Sequence, residues 1–290
     1  MAEKSGNKWL IGCGIGCGAL ILLVLIVLGI GYFFVRNTVT GFKTVDASME
    51  QLEETYGTVA DFTPDPDGHI ASDRIEAFLA VRDSSAWHRR DLENSINAIT
   101  GEIDELDRGE RSFWDVIGVV RKGFRFIPQI AGYYRVRNEA LLKSGMGLGE
   151  YYYLYAITNY SWLGKRPEDG PDFQLVGEES GRHYSWSRDG DEDEEQVKDV
   201  LDRRRYRVMK AVHRFMIPMM ERQLDAVGDY DTSWKRDLKK EIDALDDDRD
   251  RIPWEDGLPG RISGSFEPYR SRLESSYSRV LNALELQVMN

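Results

Sequence analysis

The most pronounced feature of the hydrophobic pattern stands at the start of the chain. From Trp9 to Val35 there are 27 residues without a charge, bounded by Lys8 and Arg36. As a helix this run would reach roughly 40 Å at about 1.5 Å per residue, enough to cross a hydrocarbon core of about 30 Å. Leu20–Leu28 is made of Leu, Ile and Val alone, with Trp9 at one end of the run and Tyr32, Phe33 and Phe34 at the other. Aromatic rings at both ends are what two membrane interfaces select. The pattern predicts a head over 1–8 and a retained transmembrane helix over 9–35. A cleaved signal peptide would have a shorter core and a small-residue site just after it, and none follows Val35. Leu10-Ile11-Gly12-Cys13 spells a lipobox, but here the apolar core follows the cysteine instead of preceding it.

Within this segment Gly12, Gly14, Gly16 and Gly18 form two overlapping G-x-x-x-G spacings. Small residues four apart let helix backbones approach closely, so this end is the candidate surface for a homodimer. The competing reading is a flexible start to the helix, since glycine weakens it. Cys13 and Cys17 share a face and read as small packing residues. Lys4, Lys8 and the amine on the head slightly outweigh Arg36 and Lys43 beyond it. The positive-inside rule then predicts a cytoplasmic head and an extracytoplasmic body on a cell (inner) membrane.

Beyond the anchor the period is helical. Phe42, Val45, Met49, Leu52 and Tyr56 continue a juxtamembrane helix, giving a stalk over 36–62 and a soluble domain over 63–290. Thr63-Pro64-Asp65-Pro66-Asp67-Gly68 is a break, after which a helix should start near Ser72 or Asp73 with Asp73 and Glu76 as a capping box. That helix is expected to run to Leu106, carrying Leu92, Ile96, Ile99, Ile103 and Leu106 as a 4-3-4-3 seam. Further helices are predicted over 112–143 with a kink at Pro128, 149–163, 195–227 with a kink at Pro218, 232–249 and 266–287. Residues 164–195 read as an exposed loop, with a small hairpin near 165–190 as an option. The predicted fold class is all-α: a transmembrane helix followed by a multi-helix bundle.

Composition narrows the function more than it names it. The net charge is −12, and without the anchor flanks Lys4, Lys8, Arg36 and Glu3 the body carries −14. An acidic body disfavours nucleic acid as a partner, because phosphate binding needs a basic surface. Both cysteines lie in the apolar run, so the body has no thiol chemistry. Arg outnumbers Lys by 27 to 11, which points to a GC-rich, bacterial genome.

No motif names a reaction or a cofactor, and none is expected. His69, His88, His183 and His213 have no metal-ligand spacing, and Gly164-Lys165 lacks the leading glycine of a phosphate loop. Asp189, Asp191 and Asp193 begin an EF-hand spacing, but Glu194 stands where the turn needs Gly and Val200 where a bidentate Glu is needed. A second register from Thr63 ends on Arg74, which would repel the ion. Two clusters remain as a partner surface. Tyr151, Tyr152, Tyr155 and Trp162 could stack on a ligand, although consecutive aromatics favour a core helix. Arg203, Arg204 and Arg207 belong to a basic face that could meet the acidic run 189–195, an acidic partner or lipid headgroups. Met209, Met216, Met219 and Met220, at helical spacing, read as core.

The expected function is a non-enzymatic, membrane-tethered interaction module binding an unknown envelope protein. The alternatives are a small-ligand sensor, with its site between helices, and a carboxylate-based enzyme without a signature.

Overall fold

The structure, a computed structural model, describes residues 45–108, 113–170 and 192–286; over 99–108, 113–127 and most of 192–200 only the backbone course is described. The chain divides into two compact units, Met1–Thr44 and Val45–Asn290, and every described residue lies in the second. The predicted span over 9–35 and its glycines therefore lie outside the described residues. Among those described, no helix is long and apolar enough to cross a membrane.

All regular elements of the described body are helical, as the 3.6-residue period predicts. A first helix, α1, covers 45–56. A single 3-10 turn, Val59–Asp61, leads to α2 (Ser72–Ser84) and α3 (Ala86–Arg108). Then come α4 (Phe113–Lys143), α5 (Leu148–Ala156) with a π-helical extension Ile157–Trp162, and α6 (Glu192–Ala226). The chain closes with α7 (Thr232–Asp247), α8 (Gly260–Phe266), α9 (Arg270–Ser276) and the one-turn α10 (Asn282–Glu285). No strand forms over 165–170, and the rest of the proposed hairpin lies outside the described residues.

Helix α5 is the centre of the core. Tyr151, Tyr152, Tyr153, Leu154 and Tyr155 are all at most 4% exposed, so the helix is enclosed on every side. Tyr151 packs on Phe78 of α2 at 5.3 Å between ring centroids, and Tyr152 on Phe215 of α6 at 5.8 Å. Burying each such ring contributes roughly 2 kcal/mol relative to leaving it in water. The long α6 presents Met209, Val212, Phe215, Met216, Met219 and Met220 inward, which is the predicted core stripe.

Several boundaries differ from the sequence reading. Val45 and Leu52 of α1 are buried at 1%, so the body begins inside the segment read as a stalk. The helix expected from Ser72 to Leu106 is two helices. Ser85, buried between them, turns its hydroxyl back onto the carbonyls of Val81 and Arg82 at 3.0 and 3.2 Å, a bond that competes with the helical ladder. The expected capping box is absent: Ala71 is the N-cap with no side-chain bond, and Glu76 instead meets Arg272 at 2.8 Å. The helix predicted over 266–287 is broken at Tyr277, whose backbone is extended. The Ser276 carbonyl there accepts from Arg82 and Arg89, both at 2.5 Å. Helix α4 continues through Pro128 and ends where Gly145 takes φ +62° and Met146 bonds back to the Leu141 carbonyl at 3.0 Å.

Candidate functional site

Residues 62–71 have no regular structure, and two prolines among them supply no backbone donor. A segment of this kind needs outside partners, and helices α6, α7 and α8 provide them. Arg222 donates to the Phe62 carbonyl at 2.9 Å and Gln223 to the Asp65 carbonyl at 2.6 Å. The Trp234 indole donates to the Pro66 carbonyl at 2.9 Å, and Arg261 to the Asp67 carbonyl at 2.8 Å. Ser265 accepts from the Ile70 amide at 3.2 Å and meets His69 Nδ1 at 3.0 Å. Trp234 is itself held between Trp254, stacked at 5.6 Å, and the Arg261 guanidinium at 4.8 Å. Gly68 sits on that indole with φ +75°; a Cβ there would stand 2.6 Å from the ring.

The pinned segment forms one wall of a groove of about 430 Å³. The rest of the lining comes from Arg74 near the start of α2, from Glu150, Tyr153 and Leu154 of α5, and from Gln223 of α6. Phe62, Pro64, Ile70 and Leu154 give it an apolar lining. Arg74 and Glu150 form a bidentate pair at 2.6 and 2.5 Å, and Arg74 also donates to the Gly145 carbonyl at 3.0 Å. Hydrogen bonding to Glu150 holds the Arg74 guanidinium above its ordinary pKa. Tyr153 is buried, its ring packed against Phe62 at 5.7 Å. Burial alone pushes its phenol upward, and its hydroxyl makes no hydrogen bond among the described residues.

A second constellation lies deeper and has no access to solvent. Glu285 of α10 accepts from Arg82 at 2.5 Å, from Tyr151 at 3.2 Å and, very closely, from Tyr133. Burial by itself would raise the Glu285 carboxyl, but Arg82, Arg89 and these hydrogen bonds hold it below its ordinary value. Arg137 has no carboxylate within ion-pair distance among the described residues. Its guanidinium faces the rings of Tyr134, Tyr152 and Tyr151 at 4.8, 5.7 and 5.9 Å, and donates to the Glu285 carbonyl at 3.3 Å. Ring quadrupoles thus supply part of the counter-charge for a buried cation. This cluster clamps the C-terminal segment onto α2, α4 and α5, and its role is structural.

The residues singled out in the sequence do not form one surface, although the rings of Tyr152 and Tyr155 both pack on Tyr151. Tyr151, Tyr152 and Tyr155 are core side chains at 0% exposure and present no partner surface, because a helix aromatic all round is enclosed all round. Trp162 packs on Phe266 at 5.3 Å under the Arg270 guanidinium. Arg203 and Arg207 are exposed on α6, while Arg204 donates to the Glu168 carbonyl at 3.1 Å. The neighbouring Arg205 reaches the Asp250 carbonyl at 3.0 Å, so part of the basic face is used within the molecule. The acidic run that was its expected partner lies outside the described side chains. Gly12, Gly14, Gly16 and Gly18 lie outside the described residues altogether. No group of His, Cys, Asp and Glu that could hold a metal occurs among the described residues.

The groove itself was passed over in the sequence, where Thr63–Gly68 reads as a turn. Its one legible signal was that two prolines lie in a six-residue break, Thr63–Gly68, so the carbonyls of that backbone must find partners elsewhere. Compared with known proteins, the chain matches no family model, no curated protein and no solved structure.

Proposed function

We propose that this chain is a single-pass membrane protein of a bacterial cell envelope whose helical body is a binding module, with the groove beside residues 62–71 as its site. The uncharged run Trp9–Val35 supports the anchor, and the lysines of the head support an extracytoplasmic body. One observation carries the binding reading: an irregular ten-residue wall is fixed in place by side chains of three helices. A wall ordered in advance spends no entropy on closing over a ligand, so more of the contact energy appears as affinity. Binding is favoured over chemistry because the groove's part-buried carboxylate, Glu150, is already engaged by Arg74. Between an envelope protein and a small molecule, the size of the groove favours the second, since ligand sites commonly span about 300–1,000 Å³.

Two experiments test this on the full chain. A C-terminal alkaline phosphatase fusion should be active and a C-terminal GFP fusion dark; the reverse pattern would put the body in the cytoplasm. Small ring compounds, screened against the detergent-solubilised protein, should give saturable rises in melting temperature. Those rises should vanish when Ala71, on the groove wall, is replaced by Phe; rises that survive would place binding elsewhere.

A further inference from the structure

We infer that the groove selects uncharged, mainly apolar small molecules bearing a hydrogen-bond acceptor, and that Tyr153 Oη is the donor that reads it. The inference rests on the groove being the binding site.

The charged groups at the groove are either paired or at its rim. Arg74 and Glu150 neutralise each other through two hydrogen bonds, and the remaining Arg74 donor is held by Gly145. Asp65 and His69 are exposed, and His69 Nδ1 is already on Ser265. An anion pressed against Phe62, Pro64, Ile70 and Leu154 would lose its hydration without gaining an unpaired Arg or Lys, and the one unpaired carboxylate a cation would meet there, Asp65, is exposed to water and so offsets little. The backbone of the wall offers little more. Pro64 and Pro66 have no N–H, and the amides of Gly68, His69 and Ile70 are bonded to Asp65, Asp67 and Ser265.

Tyr153 carries a donor that no protein group among the described residues engages, set beside the apolar residues of the lining. It lines the groove, is 4% exposed, and its hydroxyl has no partner among the described residues. Every other tyrosine of α5 is committed in the core: Tyr151 to Glu285 and Arg82, Tyr155 to Asn282, and Tyr152 beside Arg137. A phenol kept in an apolar setting stays protonated and therefore donates. In the empty groove this hydroxyl meets solvent; a ligand that covers it with an acceptor replaces that bond, and one that covers it without an acceptor leaves the donor unpaired.

The test uses a pair of isosteres, acetophenone, whose carbonyl accepts, and α-methylstyrene, whose methylene does not. Both are titrated calorimetrically into the full chain in detergent micelles, against empty micelles. Acetophenone should bind saturably to the wild type and lose about five- to tenfold in affinity in Tyr153→Phe, the worth of one hydrogen bond. α-Methylstyrene should bind Tyr153→Phe at least as well as the wild type. If Tyr153→Phe leaves acetophenone unchanged, or weakens both probes equally, the assignment of Tyr153 falls while groove binding stands. If neither probe saturates, or if binding persists in Ala71→Phe, the assignment and the binding reading fall together.

Discussion

Replacing Glu285 by Gln keeps the side chain's shape and removes the charge that faces Arg82, Tyr133 and Tyr151. Arg82 is 1% and Glu285 0% exposed, so water cannot take over the role of the lost carboxylate. The amide oxygen could still accept from Arg82, but its NH2 would then face the Tyr133 and Tyr151 hydroxyls, which donate to the carboxylate in the wild type. Breaking one side of a buried pair costs about 3–5 kcal/mol, mostly the penalty of the abandoned charge. That is a large part of the stability of a typical domain, about 5–15 kcal/mol. Urea unfolding of the full chain in detergent, followed by far-UV circular dichroism, measures it. Glu285→Gln should lower the midpoint by an amount equivalent to at least about 3 kcal/mol. Arg82→Met should do likewise, and the double variant should lose far less than the sum of the two losses, because neither charge is then left alone. A loss below about 1 kcal/mol, or strict additivity, would refute the account of the cluster as a clamp.

The same pair sets an acid limit. Glu285 has its folded pKa below the ordinary 4.5, so its contribution is complete above that value and is lost as pH falls through the lower folded pKa. The wild type should therefore lose stability more steeply below about pH 4.5 than Glu285→Gln, measured as the difference between the two unfolding curves. Gly68→Ala combines a left-handed backbone with a Cβ 2.6 Å from Trp234. It should cost about 2–4 kcal/mol in the same unfolding assay, and a change below about 0.5 kcal/mol would show that the wall yields easily. Burial raises the phenols of Tyr133, Tyr151, Tyr153 and Tyr155, whereas Tyr56, Tyr206 and Tyr230 are exposed. Absorbance at 295 nm should show Tyr133, Tyr151, Tyr153 and Tyr155 ionising only with unfolding as pH is raised. A single smooth titration of all tyrosines would contradict the enclosed α5.

The extent of the helices was legible wherever a stripe of apolar residues is set by neighbours three and four positions away. The stripe from Val208 to Met220 is an example, and the structure buries those residues as the spacing implies. The consecutive tyrosines of α5 were legible as a core helix for a related reason: a ring on every face leaves no face for water. The groove and the clamp were not legible. Arg82 and Glu285 are 203 positions apart, and Gln223 and Asp65 are 158 apart. Nothing local to either residue names its partner.

Two errors of reading have the same origin. The break at Ser85 and the break at Tyr277 both fall where periodicity alone would continue a helix. In both places a buried guanidinium competes for the carbonyls of the ladder, since Arg82 and Arg89 take Ser276 O and Arg89 takes Arg82 O. By itself, the sequence determined an all-helical body, its acidic charge and the apolar run that suits a membrane anchor, because period, charge and run length are local sums. Only the tertiary structure decided which of the tyrosines keeps a free hydroxyl, which loop becomes a fixed wall and which carboxylate is clamped, because each depends on the one partner that packing brings within hydrogen-bond distance.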